Sequence, residues 1–340
     1  MFSFKNDYSE GAHPAIMEAL TKAGSVQNEA YGKDSHSLHA AELIRGQIGC
    51  ADVDVYFLVG GTQTNLTAIA SFLRPHEAAV CAKTGHINVH ETGAVEATGH
   101  KAVVTASSNG KLTPESVKQA LESHTDEHMV KPKLVYISDS TEIGTVYSKK
   151  ELENLSAFCR QNRLYLYLDG ARLGSALTSG SDLTLQDLPR LTDAFYIGGT
   201  KNGALFGEAL VIVNPALKED FRYMIKQRGA MLAKGMALGV QFEVLFQDRL
   251  YFDLAAHANE MAAKLRKAIA GSGFAFLTDS PTNQIFPILP DSLVEKLRGN
   301  YDFELWEKRE DGTSVIRLVT SWATSESVVQ KFIQDFNNLA

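Results

Sequence analysis

Short apolar runs alternate with helical patterns through the first two thirds of the chain. Val53 to Val59 reads as a strand, and Thr64 to Leu73 as the helix after it. Ala78 to Cys81 is a short strand, followed by Asn88 to Thr98 with helical spacing. Leu134 to Ser138, Leu164 to Asp169 and Asp193 to Ile197 are further strands. Ser148 to Asn162 is helical, with Ser148 and Glu151 spaced as a capping box. Glu208 to Val213 reads as an antiparallel or edge strand. The alternation predicts a three-layer α/β/α unit around a mostly parallel sheet.

After about residue 246 the pattern changes. Tyr251 to Ala270 is a long helix, Thr282 to Leu289 and Ser314 to Trp322 are strands, and Ser325 to Leu339 is a closing helix. The expected division is a large domain over 1–245, with an N-terminal arm, and a small C-terminal α+β domain over 246–340. A chain of 340 residues is long enough for both.

In a parallel sheet, ligands gather at the carboxyl ends of the strands. Four polar clusters fall at such ends: Gly60-Gly61-Thr62, Thr84-Gly85-His86, Asp169-Gly170-Ala171-Arg172 and Gly199-Thr200-Lys201. Their shared position favours one site over four unrelated loops.

Composition narrows the partners. The net charge of -7, with no long Lys/Arg cluster, argues against nucleic acid. No apolar run approaches the roughly 20 residues that span a bilayer, and the first residues lack a signal-peptide pattern. Cys50, Cys81 and Cys159 are far apart and odd in number, which suggests neither a disulfide framework nor a metal site. A reducing cytoplasm is the expected setting. His86 and His90 are four residues apart, but there is no HExxH pattern and no third ligand nearby, so no metal is expected.

Each cluster has a chemical and a plain reading. The backbone amides around Gly61 and Thr62 open a helix and would suit a phosphate; the alternative is a capped helix after a tight turn. The GxxxxGK[ST] pattern of a nucleotide loop is missing. His86 would stack on a ring or move a proton, or else is a helix-capping loop histidine. Asp169 would pair with a cationic ring nitrogen, or else caps a helix. Arg172 would hold a carboxylate through paired N–H bonds, or else forms a structural ion pair, for which Asp169 is the candidate acid. Arg317 lies between apolar residues on a strand, facing solvent or reaching a carboxylate. Lys201 follows two glycines that allow close approach, although most lysines are merely solvated. A strand ending in Asp and another ending in Lys is what pyridoxal phosphate needs: an amine for its aldehyde and an acid for its ring nitrogen.

Taken together, these residues resemble the threonine aldolase and β-eliminating lyase family, whose members have the aspartate aminotransferase-like fold and use pyridoxal phosphate. The resemblance runs over nearly the whole chain. It includes Asn6-Asp7, Ala30-Tyr31-Gly32-Lys33-Asp34, Gly61-Thr62-Gln63-Thr64-Asn65, Gly85-His86, Asp169-Gly170-Ala171-Arg172, Thr200-Lys201 and Ile316-Arg317-Leu318-Val319-Thr320. It implies that Lys201 carries the Schiff base, Asp169 pairs with the ring nitrogen, His86 stacks on the ring, and Gly61 and Thr62 hold the phosphate. Arg172 and Arg317, with Asn6, would grip the substrate carboxylate. Tyr31 and Arg228 resemble positions that approach the site from a second subunit of a homodimer or homotetramer. Where many threonine aldolases have a histidine in a Thr-His-Asn-Gly turn, this chain has Glu142 in Thr141-Glu142-Ile143-Gly144. That is similar to a phenylserine aldolase-like branch. The implied reaction is aldol cleavage of a β-hydroxy-α-amino acid, such as threonine, allo-threonine or phenylserine, to glycine and an aldehyde. The proton acceptor would be His86 or Glu142. Rival readings are a β-eliminating lyase or aminotransferase on the same fold, and a catalytically silent binding protein.

Overall fold

A computed structural model describes residues 1–107 and 109–340. The chain opens with a two-residue strand, β1 (Phe2–Ser3), and then builds a seven-stranded sheet. Its members are β2 (Asp54–Leu58), β3 (Glu77–Ala82), β4 (Ala102–Thr105), β5 (Lys131–Ser138), β6 (Tyr165–Asp169), β7 (Ala194–Gly198) and β8 (Glu208–Ile212). The spatial order is β2-β8-β7-β6-β5-β3-β4. Strands β3 to β7 run parallel, and β8 is antiparallel to both β7 and β2. Helices cover both faces, giving the three-layer arrangement that the alternation predicts.

Period-two alternation explains the two cores. Val135, Ile137, Leu166, Leu168, Phe195 and Ile197 bury one face of the sheet. Leu134, Tyr136, Tyr167 and Tyr196 bury the other, against Ala68, Ile69 and Phe72 of the helix Gly61–Phe72. Asp169 is two residues beyond Tyr167, so its side chain emerges on the tyrosine face.

Five strands complete the fold: β9 (Gln284–Ile285), β10 (Ile288–Pro290), β11 (Tyr301–Asp302), β12 (Glu304–Lys308) and β13 (Thr313–Val319). Strand β13 lies between β10 and β12, with β9 also paired to it, and β1 pairs in parallel with β11. The long helix Leu250–Gly271 joins the first of these cores to a third one: Tyr251 and Leu254 pack in the first, Met261, Leu265 and Ile269 in the third, with Ile285, Leu289, Ile316 and Leu318. Phe4 also packs in the third core, which draws the start of the chain against the C-terminal strands.

Two local expectations are corrected, one of two alternatives is met, and one strand goes beyond the pattern. The pattern over Asn88 to Thr98 is not one helix: a short helix His86–Val89 ends before Thr92 and Gly93 take left-handed φ values of 52° and 72°, and a 3₁₀ turn Glu96–Thr98 follows. Strand β8 is antiparallel, the first of the two alternatives expected for it, and β2 lies outside it. The apolar run Thr282 to Leu289 splits into β9 and β10 at Phe286-Pro287, where proline has no N–H for a ladder. Strand β4 has no counterpart among the strands expected from the pattern. Its four residues alternate between buried and exposed, too short a signal to read.

The carboxyl ends of β6 and β7 approach each other very closely. A Cβ added to Gly170 would lie 1.9 Å from the Tyr196 carbonyl oxygen. Gly170→Ala therefore forces β6 and β7 apart. The expected cost is about 3 kcal/mol in a denaturant melt, the upper end for overpacking. A change under about 0.5 kcal/mol, the scale of a neutral surface substitution, would refute the packing argument. Among the described residues, no helix is long and apolar enough to cross a membrane.

Candidate active site

The carboxyl ends of β3, β5, β6 and β7 and the start of the helix Gly61–Phe72 border one cavity of about 640 Å³. Lys201, Asp169, His86, Glu142, Gly61 and Thr62 line it, and so do Arg172, Arg317 and Asn6. Tyr31 does not. It lines a separate cavity of about 200 Å³, is half-exposed, and has a left-handed φ of 62°. Arg228 follows the helix Phe221–Gln227, also outside the main cavity.

Asp169 is buried among four donors. Tyr136 and Tyr196 donate their hydroxyls at 2.5 Å each, Asn65 donates from Nδ2 at 2.9 Å, and the Ala171 N–H donates at 3.0 Å. Tyr167 in turn donates to Oδ1 of Asn65. Burial alone would raise the Asp169 carboxyl. The neighbouring His86 and the bonds from Tyr136, Tyr196 and Asn65 hold it below the usual carboxylate range. The result is an ionised acid at the cavity wall, with no cationic side chain bonded to it among the described residues.

Lys201 lies on the turn between β7 and β8. The Gly199 and Thr200 N–H groups donate to the Gly207 carbonyl and close this turn into a hairpin. Burial pushes the Lys201 ammonium down from its ordinary pKa, and Arg172 adds repulsion. Glu208 beside it accepts from Thr200 Oγ1 at 2.8 Å and from the Gly199 N–H at 3.1 Å, and burial pushes its carboxyl up to about 8. A lysine held this way has a larger neutral fraction, which is what a nucleophilic amine requires.

His86 opens the short helix after β3. Its Nδ1 is 2.7 Å from the carboxylate of Glu91, which is fully buried. The same Glu91 oxygen accepts from Asn65, so Glu91 links His86 to the donors around Asp169. The backbone N–H of His86 donates to Oε1 of Glu142 at 2.9 Å, and Ser138 donates to that same oxygen at 2.7 Å. Burial raises the Glu142 carboxyl above its ordinary value.

At the other end stand two guanidinium groups. Arg172 pairs with Asp7 through Nε at 2.7 Å and Nη2 at 3.1 Å, not with Asp169. Asp7 also accepts from Asn283 at 2.8 Å. Arg317 pairs with Glu304, donates to the Lys5 carbonyl at 3.3 Å, and lies 5.4 Å from the centre of the Trp306 ring. The Asn6 side chain folds onto its own turn, accepting from the Tyr8 N–H and the Ser9 hydroxyl. Gly60 provides no capping side chain for the helix Gly61–Phe72, so the first-turn N–H groups are available to an anion.

Sequence reasoning missed Tyr136, Tyr196, Glu91, Glu208 and Glu304, and it read Asp7 and Asn65 only as parts of a resemblance. The tyrosines sit inside apolar runs, where a hydroxyl leaves no trace in a hydrophobic pattern. Asn65 follows the glycine turn by one helical turn, a spacing that does place it on the face of Gly61.

A family model described as beta-eliminating lyase matches residues 4–291. The chain is 32% identical over 343 residues to a low specificity L-threonine aldolase of a Pseudomonas species, covering 98% of this chain and 96% of that protein. A solved structure of threonine aldolase from Leishmania major superposes with a TM-score of 0.99 at 50% identity, covering all of both chains. Aspartate aminotransferase of Thermus thermophilus superposes with a TM-score of 0.74 at 17% identity, covering all of this chain and 92% of that one, a likeness of fold.

Proposed function

The chain belongs to the beta-eliminating lyase family and is a pyridoxal phosphate-dependent lyase of the threonine aldolase kind; we propose that it cleaves threonine and related β-hydroxy-α-amino acids to glycine and an aldehyde, with Lys201 as its amine nucleophile. The observation that carries this reading is the meeting of Lys201 and Asp169 in one cavity that ends in two guanidinium groups.

The residues fit the cofactor. Asp169 is a buried, ionised acid that faces the cavity without a bonded cation, which a protonated ring nitrogen would supply. The helix start at Gly61 and Thr62 would take the phosphate. A Cβ on Gly61 would lie 3.1 Å from the Tyr196 hydroxyl, so glycine leaves room above the donor that holds Asp169. When bound, pyridoxal phosphate supplies an aldehyde that bonds an amino group and a ring that accepts the electron pair of the broken Cα–Cβ bond.

This chain does the rest. Lys201 supplies the amine, its pKa pushed down by burial and by Arg172. Asp169 would hold its negative charge toward the protonated ring nitrogen, and His86, anchored by Glu91, would stack on the ring. Arg172 and Arg317 hold the substrate carboxylate, and that grip selects which bond at Cα is cleaved. Glu142 or His86 takes the proton of the β-hydroxyl as the aldehyde leaves. Oε1 of Glu142 is engaged by His86 and Ser138, while Oε2 carries no bond among the described residues. In this reading Tyr31 and Arg228, set away from their own cavity, belong beside the site of a second copy in a homodimer or homotetramer.

The test is a product assay. Protein loaded with pyridoxal phosphate should release glycine and an aldehyde in equal amounts from threonine, allo-threonine or phenylserine. Pyruvate with ammonia, or a keto acid, would point instead to elimination or transamination. Glu142→Gln distinguishes the two proton acceptors. Glu142 becomes a base only as pH rises past its elevated pKa, so turnover should fall on acidification above the ordinary carboxylate range. In Glu142→Gln, kcat should drop about 100- to 1,000-fold, the scale of a lost general base, and this acidic limb should vanish. A retained limb assigns the proton to His86.

A further inference from the structure

Glu304 has no counterpart in the roles above, yet it lines the same cavity and occupies Arg317. The pairing is built into the sheet. Glu304 on β12 stands directly opposite Arg317 on β13, and β12 is the edge strand. The other guanidinium, Arg172, has its own acid in Asp7. Both guanidinium groups of the cavity are thus paired with an acid before a substrate arrives.

The two acids differ in how firmly they are held. Asp7 is 1% exposed and accepts three hydrogen bonds from Arg172 and Asn283. Removing it would strand Arg172 without its partner. The Glu304 side chain is 36% exposed and bonds only to Arg317 among the described residues. It can rotate into water and leave Arg317 fixed by Lys5 and Trp306. Two carboxylates on one partly desolvated guanidinium repel each other, so an incoming carboxylate and Glu304 compete.

We propose that Glu304 is a specificity-determining residue: a resident carboxylate that holds Arg317 in the empty site and is displaced to solvent by the substrate carboxylate. Only ligands whose carboxylate outcompetes Glu304 engage Arg317. Amines without a carboxylate bind without moving it. The proposal rests on the aldolase reading for the identity of the substrate, but its central claim concerns carboxylate binding alone.

The experiment compares the parent with Glu304→Gln, both loaded with pyridoxal phosphate. In Glu304→Gln, KM for threonine should fall about fivefold, the scale of a partly exposed ion pair, with kcat within about twofold. Calorimetric affinity for glycine should rise by the same factor, while affinity for methylamine, which has no carboxylate, should not change. A merely structural Glu304 would give the opposite: KM unchanged or raised, or glycine and methylamine affected alike. Either result overturns the proposal. Since glycine binding needs no cleavage, a protein that tightens on glycine but does not split threonine would refute the aldolase reading and leave this one standing.

Discussion

Lys201→Ala is expected to lose turnover by on the order of 10⁴-fold or more, the scale of removing the nucleophile from a group that acts as a unit. The same substitution should abolish the Schiff-base absorbance band of the protein after unbound pyridoxal phosphate is removed, and borohydride should no longer fix cofactor at position 201. The fold should survive. The turn that carries Lys201 is closed by backbone bonds from Gly199 and Thr200 to Gly207 and by the Thr200 hydroxyl on Glu208, none of which uses the lysine side chain. The ammonium is also held at a cost, since burial and Arg172 both disfavour its charge. Circular dichroism of the variant should match the parent, so lost turnover reads chemistry and not unfolding. Turnover within tenfold of the parent would remove Lys201 from the mechanism.

The second large effect is expected at Asp169. Asp169→Asn keeps the shape and can still bond Tyr136 and Tyr196, because a hydroxyl both donates and accepts. It removes the negative charge that would face the ring nitrogen in the proposed reading. Losing the charged partner in a buried site should lower kcat about 100- to 1,000-fold, with a smaller change in cofactor affinity. A variant within about tenfold of the parent, far short of that scale, would mean that the ring nitrogen meets another group. The acid limb of stability should change as well. The Asp169 carboxyl lies below its ordinary value in the fold, so its ionised form stabilises the protein above the ordinary carboxylate pKa. That contribution is lost as pH falls through the lower, folded value. A denaturant series at decreasing pH should show a shallower loss for Asp169→Asn.

The parts of the site that were legible in the sequence are those carried by a strand end. Asp169 and Lys201 each terminate an apolar run and meet glycines, a pattern visible within about ten residues, as in other parallel sheets. What supports them was not legible. Tyr136 and Tyr196 count as apolar in a hydrophobic pattern, and only the fold shows that β5 and β7 flank Asp169 on both sides. Glu91 was hidden in a segment with helical spacing. The left-handed turn at Thr92 and Gly93 breaks that helix just after the carboxylate that anchors His86. Arg172 looked like a partner for Asp169, three residues away, but its acid is Asp7, and no local spacing signals a pair 165 residues apart. Glu304 showed nothing in sequence, since an acid on an amphipathic edge strand is ordinary.

The ties that hold Asp7 have a consequence for how the protein is made. A ribosome releases the chain from residue 1 onward, so the hairpin bearing Lys201 can close soon after Glu208 emerges. Asp7, by contrast, waits for Asn283, and β1 waits for Tyr301, its partner 299 positions later. In the proposed reading a nascent chain therefore has Lys201 and the acid on β6 well before its carboxylate grip, which waits until Asn283 and Arg317 have emerged.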